Sequence, residues 1–172
     1  TRVKEKILAS FGEGNDKKPL CVWVCERVLK AYVNFPFVQV LAAVDDVKTK
    51  NVLEKFLPNL TVYLTDPALP SGTDRVFAAV QKYVSTHPGS EKSIKGIVNV
   101  QGDMPFVGSR GIQEMALFFN EATDDDLKKA PMLTLCQEWV FDKKSPKLND
   151  PSAVKVILNR DSFAVYFSRY AI

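Results

Sequence analysis

The ten residues Gly96-Ile97-Val98-Asn99-Val100-Gln101-Gly102-Asp103-Met104-Pro105 decide the fold that we predict for this chain. A short, nearly all-apolar run ends at a Gly-Asp pair and a proline, which is typical of a buried central strand that stops where the backbone turns. Ligands of open α/β sheets bind just outside such strand ends, so Asp103 is a candidate cation ligand. The stretch alone leaves open the alternative that Asp103 caps the next helix or closes a turn.

Composition indicates a folded protein without an obvious polyanionic partner. The chain has 172 residues, 46% of them hydrophobic, and 23 Lys and Arg against 20 Asp and Glu give a net charge of only +3. We therefore expect no nucleic-acid partner. No apolar run approaches the roughly 20 residues that span a bilayer, so we expect no membrane partner. Three cysteines without metal-ligand spacing favour a reducing, cytoplasmic location.

Helix and strand patterns alternate before residue 96. Pro19 precedes an amphipathic helix that ends near Tyr32, and Cys21 and Cys25 are predicted to be core residues on its apolar face. A buried strand over residues 37–44 is followed by an acidic pair that caps a helix over residues 47–56, and residues 61–64 predict a further short strand. This alternation predicts an α/β fold with a doubly wound, mostly parallel sheet.

The next segment predicts a helix whose N-terminus is open to a ligand. Ser71 and Gly72 introduce it, and free backbone N–H groups at such a start can bind an anion or the polar edge of a base. Arg75 lies in the first turn, where the helix dipole disfavours a cation. The alternative is that Ser71 or Thr73 is an ordinary cap and Arg75 a surface residue.

The C-terminal part predicts mixed elements. The only histidine, His87, lies in a Pro-Gly loop, so a histidine-based triad is not expected. Asp124, Asp125 and Asp126 are interpreted as an acidic loop or helix cap rather than a metal cluster. The remaining predictions are a helix that ends near Asn120, a strand over 132–136, a mobile loop over 141–150 and an antiparallel hairpin of strands 153–158 and 163–167.

Several short motifs together resemble the CMP-KDO synthetases, the 3-deoxy-manno-octulosonate (KDO) cytidylyltransferases. They are Ser71-Gly72-Thr73-Asp74-Arg75, Asn99-Val100-Gln101-Gly102-Asp103, Ala153-Val154-Lys155-Val156 and Tyr166-Phe167-Ser168-Arg169, in that family's order and spacing. The resemblance covers nearly all of the chain but about two-thirds of the family's usual length. It implies a nucleotide-diphospho-sugar transferase-like fold. Residues 1–172 would then be a single nucleotidyltransferase domain that lacks its first strand and its C-terminal third.

The resemblance implies transfer of CMP from CTP to KDO with release of pyrophosphate, in the presence of Mg²⁺, for lipopolysaccharide precursor synthesis. Arg2 and Lys6 would hold the triphosphate. Ser71 and Gly72 would contact the cytosine, with Arg75 anchoring their loop or facing phosphate. Asp103 would bind the metal, and Gln101 would contact nucleotide and sugar. Arg169 would lie near the sugar carboxylate, and a C-terminal region outside this chain would form a homodimer.

The chain also departs from the family pattern. Lys4 and Glu5 stand where the family has Pro-Gly before its lysine, and Met104 replaces the glutamate after the metal aspartate. The family's second metal-binding acid has no counterpart here. The alternatives are therefore a cytidylyltransferase for another acidic sugar, such as an amino-KDO or a sialic acid, and a non-catalytic nucleotide-binding relative. A dinucleotide-dependent oxidoreductase is disfavoured because no Gly-x-Gly-x-x-Gly follows a strand.

Overall fold

A computed structural model describes residues 6–136 and 146–171. The chain divides into two compact units, Thr1–Pro131 and Met132–Ile172. The single domain expected over residues 1–172 stays a prediction. Within the described ranges, no helix combines the length and the apolar character that a bilayer crossing requires.

The first unit is built around one β-α-β arrangement. Strand β3 (Leu41–Val44) pairs in parallel with strand β4 (Thr61–Leu64), in a register that sets Leu41 opposite Thr61 and Val44 opposite Leu64. Its elements in chain order are β1 (Ser10–Phe11), β2 (Lys18–Pro19), α1 (Leu20–Ala31), β3 (Leu41–Val44), α2 (Val47–Phe56), β4 (Thr61–Leu64), α3 (Gly72–Thr86), α4 (Ser109–Glu121) and α5 (Asp124–Lys129). The parallel pairing confirms the predicted sheet type, while the short antiparallel pair β1–β2 was not predicted.

Local sequence explains the boundaries of the helices. Pro19 precedes α1 with a φ of −60°, and Asp46 caps α2 by accepting a hydrogen bond from the Thr49 backbone N–H at 2.7 Å. Thr123 caps α5 in a reciprocal capping box with Asp126, so the acidic run is a helix start, as predicted. The strand predicted over residues 37–44 is confirmed only for its second half, Leu41–Val44.

Two apolar clusters form the core of this unit. The first joins α1, β3 and α2 through Cys21, Val22, Ala42, Val44, Leu53 and Leu60. The second joins α1 to α4 through Ala31, Tyr32, Val107, Ile112 and Ala116. The buried Tyr32 hydroxyl donates to the Ile112 carbonyl at 2.6 Å, so the polar tip of this ring is satisfied inside the cluster.

The predicted central strand over residues 96–105 is wrong as a sheet strand. Residues 94–101 have no regular secondary structure and pair with neither β3 nor β4. Among the described residues, strand β3 is hydrogen-bonded only to β4 in its sheet, and both β3 and this stretch line a cavity of about 760 Å³. The stretch packs on α4 instead. A Cβ added to Gly96 would lie 2.2 Å from Cγ of Phe119.

The second unit contains the predicted hairpin. Strands β5 (Lys155–Leu158) and β6 (Ala164–Ser168) are antiparallel, with a bulge between Ile157 and Leu158. The Asn159 side chain holds the turn by accepting hydrogen bonds from the backbone N–H groups of Asp161 and Phe163.

Two predictions for the second unit need correction. Residues 132–136 have no regular secondary structure, so the strand predicted there is wrong. Of the loop predicted over residues 141–150, residues 141–145 lie outside the described residues. Pro146–Asn149 forms a short helix, α6, so this part is not a loop.

Candidate functional site

The start of α3 lies close in sequence to the carboxyl end of β4 and has an ordinary cap. Ser71 has extended backbone torsions, and its hydroxyl accepts a hydrogen bond from the Asp74 N–H at 3.2 Å and donates one to the Asp74 carboxylate. The capping alternative for Ser71 is therefore confirmed. Gly72 opens the helix with no heavy atom within 4 Å of the position that a Cβ would take. The helix start is thus open beside Gly72.

Arg75 is held by groups at the ends of both strands. Its Nη2 lies 2.9 Å from the Asp45 carboxylate, just after β3, and its Nη1 lies 3.0 Å from the Thr65 hydroxyl, just after β4. A further hydrogen bond from Nη1 reaches the Asp66 carbonyl at 3.3 Å. The alternative that Arg75 is a free surface residue is therefore wrong.

Lys6 and Asp103 form an ion pair although they are 97 positions apart in sequence. The Lys6 ammonium lies 3.0 Å from the Asp103 carboxylate, and both side chains are substantially exposed. Asp103 lies in a turn closed by the Met104 N–H and the Gln101 carbonyl at 3.1 Å. The cap of α4 is Gly108, so the alternative that Asp103 caps that helix is wrong. The pair places one positive and one negative group side by side and open to solvent.

One cavity is shared by Arg75, the start of α3 and Asp103, the partner of Lys6. Its polar lining includes Asp45, Gly72, Arg75, Gln101 and Asp103, and the rest is largely apolar and comes mainly from α1, β3, α3, α4 and residues 94–100. The start of α3 and the Lys6 ammonium, which pairs with Asp103 at this cavity, favour an anionic ligand, while a solvent-facing carboxylate can hold a cation bound to that ligand. The arrangement fits a phosphate-bearing substrate that carries a divalent cation.

The residues present fit Mg²⁺ only together with such a substrate. Among residues 6–136 and 146–171, no group of three or more His, Cys, Asp or Glu side chains is placed to hold a metal ion by itself. Mg²⁺ is commonly bound through one or two carboxylates plus substrate phosphates and water. Asp103 can supply one such carboxylate.

Sequence reasoning missed the roles of Asp45 and Thr65. The Asp45–Asp46 pair was interpreted as a helix cap, but only Asp46 caps α2, and Asp45 binds Arg75. The Thr65 hydroxyl donates to the Val44 carbonyl at 2.9 Å while it accepts from Arg75. The signal that could have found Asp45 is the one that singled out Asp103, an acidic residue directly after an apolar run.

The roles of two further predicted site residues, Arg2 and Arg169, are not tested by these contacts. Arg2 lies outside the described residues. Arg169 belongs to the second unit, where its guanidinium donates to the Pro151 carbonyl at 2.9 Å and its own carbonyl accepts from Lys155. Their contacts with triphosphate and sugar stay predictions.

A parallel β-α-β arrangement with polar and ionic groups at the carboxyl ends of its strands defines an α/β protein of the class that binds ligands at this edge of its sheet. Comparison with known proteins narrows this class. The family model for cytidylyltransferases matches residues 1–172, and the chain therefore belongs to the cytidylyltransferase family. The resemblance stated from the sequence motifs is confirmed.

Curated proteins similar to this chain include several named 3-deoxy-manno-octulosonate cytidylyltransferase. The protein of this name from Photobacterium profundum is 35% identical over 174 residues, which cover 100% of this chain and 59% of the relative. Those from Francisella tularensis subsp. novicida and Vibrio cholerae serotype O1 are each 32% identical and are covered to 59% and 58%. The chain thus spans about three-fifths of the length of these relatives.

A solved structure has the same fold. It is described as CMP:2-keto-3-deoxy-manno-octonic acid synthetase complexed with CTP, and it matches with a TM-score of 0.66 at 24% identity. The match covers 96% of this chain and 57% of that structure. The predicted fold class is therefore confirmed, although residues 94–101 do not join the sheet here.

Proposed function

We propose that the protein to which this chain belongs transfers CMP from CTP to 3-deoxy-manno-octulosonate and releases pyrophosphate. Family membership and the names of the curated relatives support the reaction class. The observation that carries the proposal is the Lys6–Asp103 pair, which puts a cation and a metal-type ligand beside one cavity with Arg75 and the start of α3. A nucleoside triphosphate with a divalent cation needs both kinds of group.

In this reaction the anomeric oxygen of the sugar acid would form a bond to the α-phosphorus and lose its proton to solvent, while the bond from that phosphorus to the bridging oxygen of pyrophosphate breaks. Lys6 would leave Asp103 for the triphosphate, where its ammonium offsets charge on the leaving group. Asp103, freed from Lys6, would become a ligand of Mg²⁺. When bound, Mg²⁺ polarises the phosphate and neutralises pyrophosphate. We also assign Arg2 to the triphosphate.

The start of α3 would recognise the base. Gly72 leaves space beside the helix start, and backbone N–H groups there can donate to the oxygen and ring nitrogen of cytosine. Gln101 lines the same cavity and would contact nucleotide and sugar. Arg169 is proposed to bind the sugar carboxylate. We further propose a cytoplasmic homodimer that supplies lipopolysaccharide precursors.

Pyrophosphate release by the complete polypeptide tests this function. With CTP, Mg²⁺ and KDO we expect steady release that stops when the sugar or the metal is left out. Lys6→Ala should slow the reaction by about tenfold to a hundredfold, since a charge-assisted contact to phosphate is lost. Lys6→Arg is the matched control and should retain more activity. A complete polypeptide that released no pyrophosphate would refute the proposal.

A panel of acidic sugars tests the first alternative, a cytidylyltransferase for an acidic sugar other than KDO. If an amino-KDO or a sialic acid supports faster release than KDO, the enzyme is a cytidylyltransferase for that sugar. Met104 in place of the family's glutamate supports the second alternative, a non-catalytic relative. Calorimetry would then show CTP binding without turnover for any sugar tested.

A further inference from the structure

We infer that Arg75 is a positioning residue, fixed by Asp45 and Thr65 so that it holds the start of α3 at the site, and that it is not a phosphate ligand. This inference rests on the proposed function, because it assigns the α3 start to the nucleotide base. It decides between the two roles that the resemblance left open for Arg75, and it adds Asp45 and Thr65 to the site.

The Arg75 guanidinium is held by hydrogen bonds and an ion pair to other protein groups. Nη1 donates to both the Thr65 hydroxyl and the Asp66 carbonyl, which uses both of its hydrogens, and Nη2 faces the Asp45 carboxylate at 2.9 Å. Only 16% of the Arg75 side chain is exposed. A guanidinium fixed in this way joins three chain segments and has little freedom to turn towards a phosphate.

Arg75 also lies at a position in α3 where a cation is unfavourable without a nearby negative charge. Its backbone N–H donates to the Ser71 carbonyl at 3.1 Å, so it lies in the first turn of α3. A cation there opposes the helix dipole. The Asp45 carboxylate, which lies directly after β3, offsets this penalty. The interaction therefore binds the helix start to the sheet rather than to a ligand.

Thr65 extends the arrangement into the sheet. Its side chain is almost fully buried, and its hydroxyl accepts from Arg75 and donates to the Val44 carbonyl. The backbone N–H of Thr65 donates to the same carbonyl at 2.8 Å. The guanidinium thus contacts the residues that follow β3 and β4. Through Arg75, these contacts fix the position of Ser71 and Gly72 at the start of α3.

The sign of the effect of Asp45→Asn on nucleotide affinity separates the two roles. In the complete polypeptide, a positioning role predicts that Asp45→Asn and Thr65→Val each weaken the binding of CTP and of CMP by a similar factor, about tenfold. Thr65→Ser should restore affinity because it keeps the hydroxyl. If Arg75 instead binds phosphate, Asp45→Asn leaves CTP affinity unchanged or raises it, and Arg75→Gln weakens CTP far more than CMP. Either result would overturn the inference.

Hydrogen exchange without nucleotide tests the positioning directly. Asp45→Asn should speed exchange of the backbone amides at residues 72–75 by about tenfold and leave those of α4 unchanged. The control is Glu114→Gln, which removes an equivalent charge from an exposed ion pair with Arg110 on α4. Unchanged exchange at 72–75 would refute the positioning role. If the wild-type protein bound no CTP, the proposed function would fail, and this measurement would still judge whether Arg75 holds the helix start.

Discussion

The two units of the chain differ in whether their described residues form a buried apolar cluster. In the first unit, Ile112 is only 2% exposed and lies in a cluster that closes α4 against α1. In the second unit, Val165 is 64% exposed and Tyr170 is 81% exposed. A two-stranded hairpin is marginally stable alone, and exposed apolar surface often marks a site of interaction. The first unit thus carries a core, whereas the hairpin contributes little buried area within this chain.

Thiol reactivity should show the largest contrast between the units. Burial, followed by the neighbouring Cys21 and Glu26, raises the pKa of Cys25 from its ordinary value of 9.0 to about 12. At pH 8 a thiol with that pKa is about one part in ten thousand thiolate. Burial also raises the pKa of Cys21, while Cys136 in the second unit is exposed. Iodoacetamide followed by mass spectrometry should therefore label Cys136 first.

The comparison would be wrong if Cys25 reacted as fast as Cys136 in the native protein. The raised pKa also predicts a direction for stability. The folded state keeps a proton at Cys25 that the unfolded chain loses between pH 9 and about pH 12, so the free energy of unfolding falls as the pH rises through this range. Cys25→Ala should reduce the steepness of that fall.

Truncation of the core should have the next largest effect. Ile112→Ala removes a buried side chain from the cluster that joins α4 to α1 and should lower the free energy of unfolding by about 2–5 kcal/mol. Leu117→Ala on the same helix is the matched control, because Leu117 is 37% exposed and should cost clearly less. Urea denaturation measures both. Equal losses would mean that α4 does not pack as described.

The cap of α2 should contribute a smaller amount. Asp46 accepts hydrogen bonds from the backbone N–H and the buried hydroxyl of Thr49, at 2.7 and 2.6 Å. Asp46→Ala should cost about 1–2 kcal/mol, while Asp46→Asn keeps a capping oxygen and should cost less. Thermal unfolding would test the ranking, which is contradicted if both variants unfold at the same temperature.

A substitution in the hairpin should have the smallest effect. Val165→Thr in the chain alone should change the free energy of unfolding by less than about 0.5 kcal/mol, since the side chain buries little surface. Urea denaturation measures this change as it does for Ile112→Ala. A loss as large as that of Ile112→Ala would show that the hairpin belongs to the core.

The sequence pattern predicted correctly those helices, strands and caps that depend on residues close to each other in the chain. The cap at Asp46 and the four-residue strand Thr61–Leu64 follow from neighbouring side chains, and helix α2 lies where the pattern placed it. Residues 94–101 show the limit of such reasoning. Their apolar run predicts a strand, but a strand needs a partner at hydrogen-bonding distance, and here the stretch packs against α4 instead.

The candidate site was predictable in its residue types but not in its pairings. The sequence singled out Lys6, Asp103 and Arg75. The structure pairs Lys6 with Asp103, which lie far apart in the sequence of the first unit. The structure also shows an ion pair between Arg75 and Asp45, a residue that the sequence pattern had assigned to a helix cap. Pairings between distant residues depend on tertiary packing, which local periodicity does not encode.

The rate of pyrophosphate release by the complete polypeptide carrying Asp103→Asn tests most directly whether the Lys6–Asp103 pair serves the reaction. The amide keeps the size of the side chain but removes the charge that pairs with Lys6 and that would hold the metal. We expect a fall of at least about a hundredfold with CTP, Mg²⁺ and KDO. Asp125→Asn on α5, which loses an exposed ion pair with Lys129, should leave the rate unchanged. A rate for Asp103→Asn within a few-fold of the wild type would contradict the account.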